Sequence, residues 1–158
     1  MAEQVKKRIL GPGSPLIYQN KYRHMMPIDT EIWKAFLKFE PNFFELVWYD
    51  LHLGKAMGLP EGSGDVEDQT AQGVSRKRVD VVGLKEDVYW IIEIKAVANM
   101  EALGQIQAYS RMFRNEFEIH KNIRGACLCW KADQDLVDDY WQMGITVISL
   151  EGYVGSFR

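Results

Sequence analysis

The sequence predicts a single α/β domain in which helices flank a central mixed sheet. The chain has 158 residues, enough for one domain with a substantial core and too few to suggest two. Apolar residues make up 47% of it and charged residues 26%, as in ordinary globular proteins. Helical and strand patterns follow one another in the order α, β, β, β, α, β, α, β. We therefore expect one domain over residues 29–158, preceded by an arm over 1–28 that glycine and proline make irregular.

The domain is predicted to begin with a helix from Asp29 to Pro41, because apolar residues recur at helical spacing: Ile32, Ala35, Phe36 and Phe39. Asp29 or Thr30 is expected to cap this helix, which places Glu31 in its first turn. Residues 43–54 fit either a helix or a strand. We favour a strand, since the hairpin that follows needs a neighbour. Residues 54–76 show no periodicity and are predicted to form a long loop.

Two strands, at about 77–84 and 88–96, are predicted to form a hairpin around Glu86 and Asp87. With that turn, Asp80 faces Glu93 across the hairpin, and Lys95 lies two residues further along on the same face. Apolar side chains cover both faces of the second strand, so it should be internal to the sheet. The apolar residues of its opposite face are Val88, Trp90, Ile92 and Ile94.

The remaining elements complete the order. A helix is predicted over Met100–Arg114, a strand over 125–130, a helix from Asp133 or Asp135 to Gly144, and a last strand over 145–150. Cys127 and Cys129, the only cysteines, lie in the strand at 125–130 and are expected to be core thiols. The three histidines, His24, His52 and His120, are scattered without the spacing of metal ligands.

Charge and hydropathy narrow the class of protein. The net charge of −3 does not itself indicate nucleic acid, but basic residues cluster locally. The clusters that we consider as nucleic-acid contacts are Arg76-Lys77-Arg78 and Lys21 with Arg23, and the alternative is a solvated face. No apolar run approaches the length of a membrane span, and no signal peptide is evident at the N-terminus. We therefore expect a cytoplasmic protein that does not bind membranes.

Three charged residues, Asp80, Glu93 and Lys95, stand among apolar residues that otherwise indicate buried sheet. A buried charge costs several kcal/mol unless it is paired or bound to a metal. Facing carboxylates repel each other, and a divalent cation reverses the sign of that interaction. Magnesium needs few protein ligands, so Asp80, Glu93 and the backbone carbonyl of Ile94 would suffice. The alternative is that Glu93 and Lys95 form an ordinary same-face pair and Asp80 compensates the basic run before it.

The pattern formed by Asp80, Glu93-Ile94-Lys95 and Gln105-Ile-Gln-Ala-Tyr109 resembles that of the PD-(D/E)XK nuclease superfamily. The resemblance covers roughly residues 29–150 and is strongest to small nuclease-like proteins encoded by bacteriophages. It implies a restriction-endonuclease-like αβββαβ core, with Asp80 and Glu93 as metal-binding acids and Lys95 as the catalytic lysine. Gln105 and Tyr109 match the helix motif of the exonuclease-like branches. Glu31 resembles an extra metal-binding glutamate of some members, although a first-turn acid also favours the helix dipole.

The resemblance implies a nuclease that hydrolyses DNA phosphodiester bonds with Mg²⁺ or Mn²⁺. It leaves open whether cutting is internal or from ends, and whether two copies act together. The alternative is a catalytically inactive nuclease-fold module that binds nucleic-acid ends or a partner protein.

Overall fold

The computed structural model describes residues 6–54 and 77–152, and the predicted loop at 55–76 lies outside these ranges. Five strands and three α-helices are found in the described residues, together with a 3₁₀ helix at Gln134–Leu136. The helices are α1 (Pro27–Phe39), α2 (Met100–Glu116) and α3 (Val137–Gln142). The strands are β1 (Leu46–Leu53), β2 (Lys77–Lys85), β3 (Val88–Ala98), β4 (Asn122–Ala132) and β5 (Thr146–Ser149). The predicted order of elements is confirmed.

The strands form one mixed sheet in the order β1-β2-β3-β4-β5. The β1–β2 and β2–β3 pairs are antiparallel, whereas the β3–β4 and β4–β5 pairs are parallel. The hairpin turns at Glu86 and Asp87, whose φ angles of 48° and 62° are those of a tight two-residue turn. Its register is the predicted one, with Val81 opposite Ile92. The predicted fold class, a central mixed sheet flanked by helices, is confirmed.

Helices cover both faces of the sheet. On one face, α1 buries Ile32, Trp33, Phe36 and Leu37 in a cluster with residues of the inner strands, which include Trp90, Ile92 and Ile94. On the other face, α2 packs against apolar residues of β2, β3 and β4, among them Val82, Ile91 and Cys127. Because β3 contributes to the clusters on both faces, it is the internal strand that the sequence predicts.

Several boundaries differ from the prediction. Helix α1 begins at Pro27, not at Asp29, and Met26 occupies the capping position without a side-chain bond. Proline is favoured in the first turn because its missing N–H would have no partner there. Asp29 is therefore the first-turn acid of α1. Strand β4 is longer than predicted, and the element after Asp133 is divided into the 3₁₀ helix and α3. Both cysteines are buried free thiols, as predicted.

The described part of the N-terminal arm lies against the sheet through isolated bridges. Ser14 pairs with Val47 of β1, and Arg8 pairs with Phe117 beyond the end of α2. The Arg8 guanidinium also binds the Glu116 carboxylate at 2.6 Å. These contacts join the arm to β1 and to α2, elements that lie far from it in the sequence.

No helix in the described ranges is long and apolar enough to cross a membrane.

Helix α2 approaches β4 closely where a glycine faces an isoleucine. A Cβ atom added at Gly125 would collide with Cγ2 of Ile106, a fully buried residue of α2. The close contact between helix and sheet therefore depends on the missing side chain at this position. Gly104, on the exposed side of the same helix, has open space around the position of a Cβ atom.

A matched pair of substitutions tests this contact. Gly125→Ala should destabilise the protein by about 1–3 kcal/mol, because helix and strand must move apart. Gly104→Ala should stabilise it by about 0.5–1 kcal/mol, because alanine loses less backbone entropy in a helix. Urea denaturation of both variants measures the two free energies. Equal effects of the two changes would contradict the packing described.

Candidate active site

The candidate site lies where β2 and β3 separate within the sheet. Their pairing ends at Val81–Ile92. Beyond that pair, β2 continues along β1 through Val79, whereas β3 continues along β4 through Glu93. Asp80 and Glu93 are the first residues after the last pair on their respective strands. The side chains that the hairpin register places opposite each other therefore lie at the mouth of the separation.

The two carboxyl groups replace the backbone bonds that the strands no longer make with each other. Asp80 Oδ2 accepts the Ile94 N–H at 2.8 Å, and Glu93 Oε1 accepts the Asp80 N–H at 3.4 Å. Ile94 is fully buried, so its N–H would otherwise lack a partner away from water. Each acid is thus oriented by the backbone of the facing strand.

Burial raises the pKa of both carboxyl groups, because water is excluded from them. For Glu93, which is 3% exposed, the charge of Asp80 raises the pKa further. The interaction between the two side chains also raises the pKa of Glu93 and lowers that of Asp80, so the proton of the pair belongs to Glu93. Without a cation the pair therefore keeps a proton at neutral pH, and its charge is that of a single carboxylate.

Lys95 supplies the positive charge of the cluster. Its Nζ lies 3.6 Å from Glu101 Oε1, a carboxylate that begins α2 and is mostly exposed. Its charge lowers the pKa of both Asp80 and Glu93, against the larger effect of burial. The ammonium group is therefore part of the electrostatic environment of the carboxyl pair, although its salt bridge is with Glu101.

Helix α2 places Gln105 and Tyr109 beside the carboxyl pair. Asn99 begins the helix, because its side chain accepts the Ala102 N–H at 3.0 Å. Burial raises the pKa of the Tyr109 hydroxyl, and the charges of Glu93 and Asp80 raise it further. Gln105, one turn before Tyr109, lowers the pKa of that hydroxyl, and its Oε1 atom is buried without a hydrogen-bond partner among the described residues.

The other predicted site residues are not part of the carboxyl pair itself. Glu31 is 66% exposed and pairs with Lys34 at 3.4 Å on the outside of α1. Arg78 contacts Asp50 on β1, and Lys77, the first residue of β2, pairs with Leu53. Lys21 and Arg23 are exposed residues of the arm. The prediction for Arg76 falls outside the described residues.

Asp29 is the acid that the sequence analysis missed. Its charge raises the pKa of Asp80, and the charge of Lys95 acts on Asp29 in turn. Burial raises its own pKa. The sequence analysis assigned Asp29 a capping role and considered Glu31 for the cluster. A start of the helix at Pro27, which proline at the first helical position favours, would have given the first-turn acid correctly.

The residues present fit a hard divalent cation. Within residues 6–54 and 77–152, no three His, Cys, Asp or Glu side chains form a complete metal cage. Magnesium does not require one, since it commonly binds through one or two carboxylates and keeps several waters. Two buried carboxyl groups that share a proton form an oxygen-rich centre in which a cation would replace that proton.

Comparison with known proteins gives similarity of fold. No family model matches the sequence, and no curated protein matches it. A repair endonuclease from Pyrococcus abyssi is similar in structure, with a TM-score of 0.47 and 16% identity over 84% of this chain and 50% of that one. EndoMS in complex with double-stranded DNA has a TM-score of 0.46 and 19% identity, over 86% of this chain and 50% of that one. Protein VC1899 from Vibrio cholerae has a TM-score of 0.45 and 10% identity, over 77% of this chain and 29% of that one. The chain thus spans half the length of the first two proteins.

The raised pKa of Glu93 predicts a stability that falls as pH rises in metal-free protein. Below the ordinary glutamate pKa of about 4.3, both folded and unfolded chains hold the proton. Above it, the unfolded chain releases the proton and the folded chain keeps it, so folding becomes less favourable until the folded pKa is passed. Glu93→Gln removes this loss and keeps an oxygen that can accept the Asp80 N–H. In chelator, the variant should melt at least about 2 °C above the natural protein near pH 8.

The control is Glu101→Gln, which neutralises an exposed acid of the same neighbourhood. Its melting temperature should follow that of the natural protein across the pH range. Near pH 4 all three proteins should melt together, since Glu93 is then protonated in both states. Parallel curves for Glu93→Gln and the natural protein would show that Glu93 is ionised when folded.

Proposed function

We propose that this protein is a metal-dependent nuclease that hydrolyses phosphodiester bonds in DNA with Mg²⁺ or Mn²⁺. The observation that carries the proposal is the pair of buried carboxyl groups, Asp80 and Glu93, held at the mouth of the separation between β2 and β3 with the Lys95 charge acting on both. The residue pattern that resembles the PD-(D/E)XK superfamily supports the same proposal.

The cost of the pair is the physical argument for a function. A neutral apolar pair at positions 80 and 93 would remove the burial penalty on two ionisable groups. The acids do satisfy the backbone N–H groups where the strands separate, but an asparagine or glutamine would do this without charge. Acidity in this position therefore indicates chemistry that requires it, since perturbed carboxyl groups concentrate at functional sites.

Asp80, Glu93 and the backbone carbonyl of Ile94 would hold the cation. When bound, the metal would polarise a phosphoryl oxygen, stabilise charge that develops on it and lower the pKa of a bound water. The acids bind through oxygen atoms that the facing backbone already orients, so little order is lost on binding.

Lys95 is proposed as the residue that contacts the scissile phosphate or the attacking water. Its ammonium group is a compact charge on a flexible stem, which suits a mobile anionic partner. Its salt bridge with Glu101 is partly exposed and therefore weak, so the substrate phosphate can compete for it. Gln105 and Tyr109 act as positioning residues, because they belong to α2, the helix that forms one wall of the site.

Cleavage assays test the proposal directly. Purified protein is incubated with labelled single-stranded, duplex and branched DNA, in Mg²⁺, in Mn²⁺ and in chelator. Metal-dependent cleavage is expected, with a fall of roughly 100-fold or more for Asp80→Asn and Lys95→Ala, because each removes a charge that acts on the reacting phosphate. Asparagine at position 80 retains an oxygen for the Ile94 N–H, which keeps the fold comparable.

Glu31→Gln is the matched control, since it neutralises an exposed acid that the structure places with Lys34. Its cleavage rate should stay within about twofold of the natural rate. Cleavage by Asp80→Asn at the natural rate would falsify the assignment. DNA binding that chelator does not affect, without cleavage in either metal, would favour an inactive nuclease-fold module.

Metal binding can be measured without activity. Saturating Mg²⁺ or Mn²⁺ should stabilise the natural protein by about 2.7 kcal/mol at 100 times the Kd, and Asp80→Asn should lose most of this gain. The gain should be larger near pH 8 than near pH 5, because the metal displaces the shared proton. A thermal-shift titration checks both expectations. An equal gain in the natural protein and Asp80→Asn would place the cation elsewhere.

A further inference from the structure

A second group of polar residues lies beside the carboxyl pair, on the side of β1. Asp50 of β1 is its centre: the Arg78 Nη1 lies 3.6 Å from Oδ1, and the His52 Nε2 lies 3.6 Å from Oδ2. The His24 Nε2 of the arm lies 4.0 Å from the same Oδ2. His24 and His52 are scattered in the sequence because they belong to different elements, which only the fold brings together.

The arm holds this group in place through a buried tyrosine. Residues 22–25 form a turn closed by the Met25 N–H and the Tyr22 carbonyl. Tyr22 is buried, and its ring lies 5.1 Å from that of Tyr49 on β1. Its hydroxyl accepts the Gln19 N–H at 2.8 Å. The turn is therefore fixed to the sheet, and Arg23 and His24 project from it as a preorganised pair.

Backbone strain coincides with this contact. Outside the hairpin turn, His24 and Asp50 are the non-glycine residues of the described chain with positive φ, at 60° and 52°. A left-handed conformation costs such residues free energy of the order of 1 kcal/mol, and it persists where the surroundings enforce it. Two strained residues whose side chains approach each other mark a place where geometry has been retained at a cost to stability.

Arg23 has donors available for a ligand. Its Nε donates to His24 Nε2 at 3.1 Å, which places the histidine proton on Nδ1 in this arrangement. No carboxylate in the described residues lies within 4 Å of the Arg23 guanidinium. The Arg23 guanidinium therefore carries a charge that no carboxylate within 4 Å offsets in the described residues, so it attracts anions.

The group opens into a groove that adjoins the carboxyl pair. A cavity of about 410 Å³ is lined by Arg23, His24, Tyr49, Asp50 and His52. A smaller cleft, lined by Arg23, His24, Met25, Asp50 and Asp80, connects the same turn to the acid at the strand separation. In the β1–β2 register, the neighbours of Asp50 pair with the neighbours of Asp80. Groove and candidate active site therefore share a wall.

We infer that Arg23, His24 and His52 form a binding site for a backbone phosphate of the DNA strand whose neighbouring phosphodiester lies at Asp80 and Glu93. The inference rests on the proposed function for its ligand. Arginine and histidine donors are suited to phosphate oxygens, and Asp50 lies 3.6 Å from the His52 ring, which it orients beside the groove. The site holds the strand in register with the acids, which themselves repel it.

Binding measured without cleavage tests the inference. Fluorescently labelled single-stranded and duplex DNA is titrated with protein in chelator at several salt concentrations. Arg23→Ala should weaken binding by roughly tenfold at low salt and lower the slope of log K against log salt by about 0.9 for duplex DNA, the loss of one phosphate contact. Lys121→Ala, a loss of the same charge at the hairpin end of the sheet, should change neither by more than about twofold.

His24→Gly separates binding from support of the fold. Glycine accepts the positive φ without strain, so the melting temperature should stay equal or rise. DNA binding should nevertheless weaken, because the ring is lost. Unchanged affinity in Arg23→Ala, or equal losses in Arg23→Ala and Lys121→Ala, would overturn the inference. If Arg23→Ala weakens binding but the natural protein cleaves DNA in no metal, the phosphate site is retained and the nuclease is rejected. If the natural protein cleaves DNA and Arg23→Ala binds with unchanged affinity, the nuclease is retained and the phosphate site is rejected.

Discussion

The rest of the site depends on the exchange of hydrogen bonds between Asp80 and the strand that carries Glu93. A sheet whose strands part must satisfy the backbone groups that lose their partners. Here the side chain of Asp80 takes the N–H of Ile94, and Glu93 takes that of Asp80. The same bonds that close this gap also fix the direction of both carboxyl groups. The oxygen atoms that stabilise the fold are therefore also those of the candidate site. Truncation of Asp80 to alanine would leave the buried Ile94 N–H unpaired in addition to removing a charge.

Charge at the site is balanced only in part by the protein. The charge of Asp29 raises the pKa of Asp80, and the charge of Asp80 raises the pKa of Glu93. The charge of Lys95 lowers the pKa of all three acids. Burial then favours protonation, and the carboxyl pair keeps a proton that it could exchange for a metal ion. This state of the pair explains why acids in the sheet are compatible with a stable fold. The penalty of their ionisation is avoided until a ligand compensates it.

The sequence predicted the hairpin accurately because its information is local. A two-residue turn at Glu86 and Asp87 determines every pairing along β2 and β3, and alternation of side chains then assigns the faces. The facing arrangement of Asp80 and Glu93 followed from that register alone. The start of α1 was less accessible, since Asp29 and Thr30 have the composition of caps and only the proline at 27 favoured an earlier start.

The group around Asp50 could not be predicted in the same way. His24 and Asp50 meet because Tyr22 packs on Tyr49, and such a contact between arm and sheet has no periodic signal in the sequence. Their positive φ angles could not be predicted, because histidine and aspartate do not indicate a left-handed conformation as glycine would.

The net charge of −3 does not itself indicate a nucleic-acid ligand, but a net charge averages over surfaces that a ligand meets separately. In the fold, the acids are buried at the strand separation, where they keep a proton between them. The guanidinium group of Arg23 lies in the adjoining groove on the side of β1. A polyanion that approaches this part of the surface therefore meets positive charge in the groove before it reaches the carboxyl pair. The separation of the two signs within one cleft suits the proposed nuclease, because the acids would hold the metal while the basic groove would hold the strand.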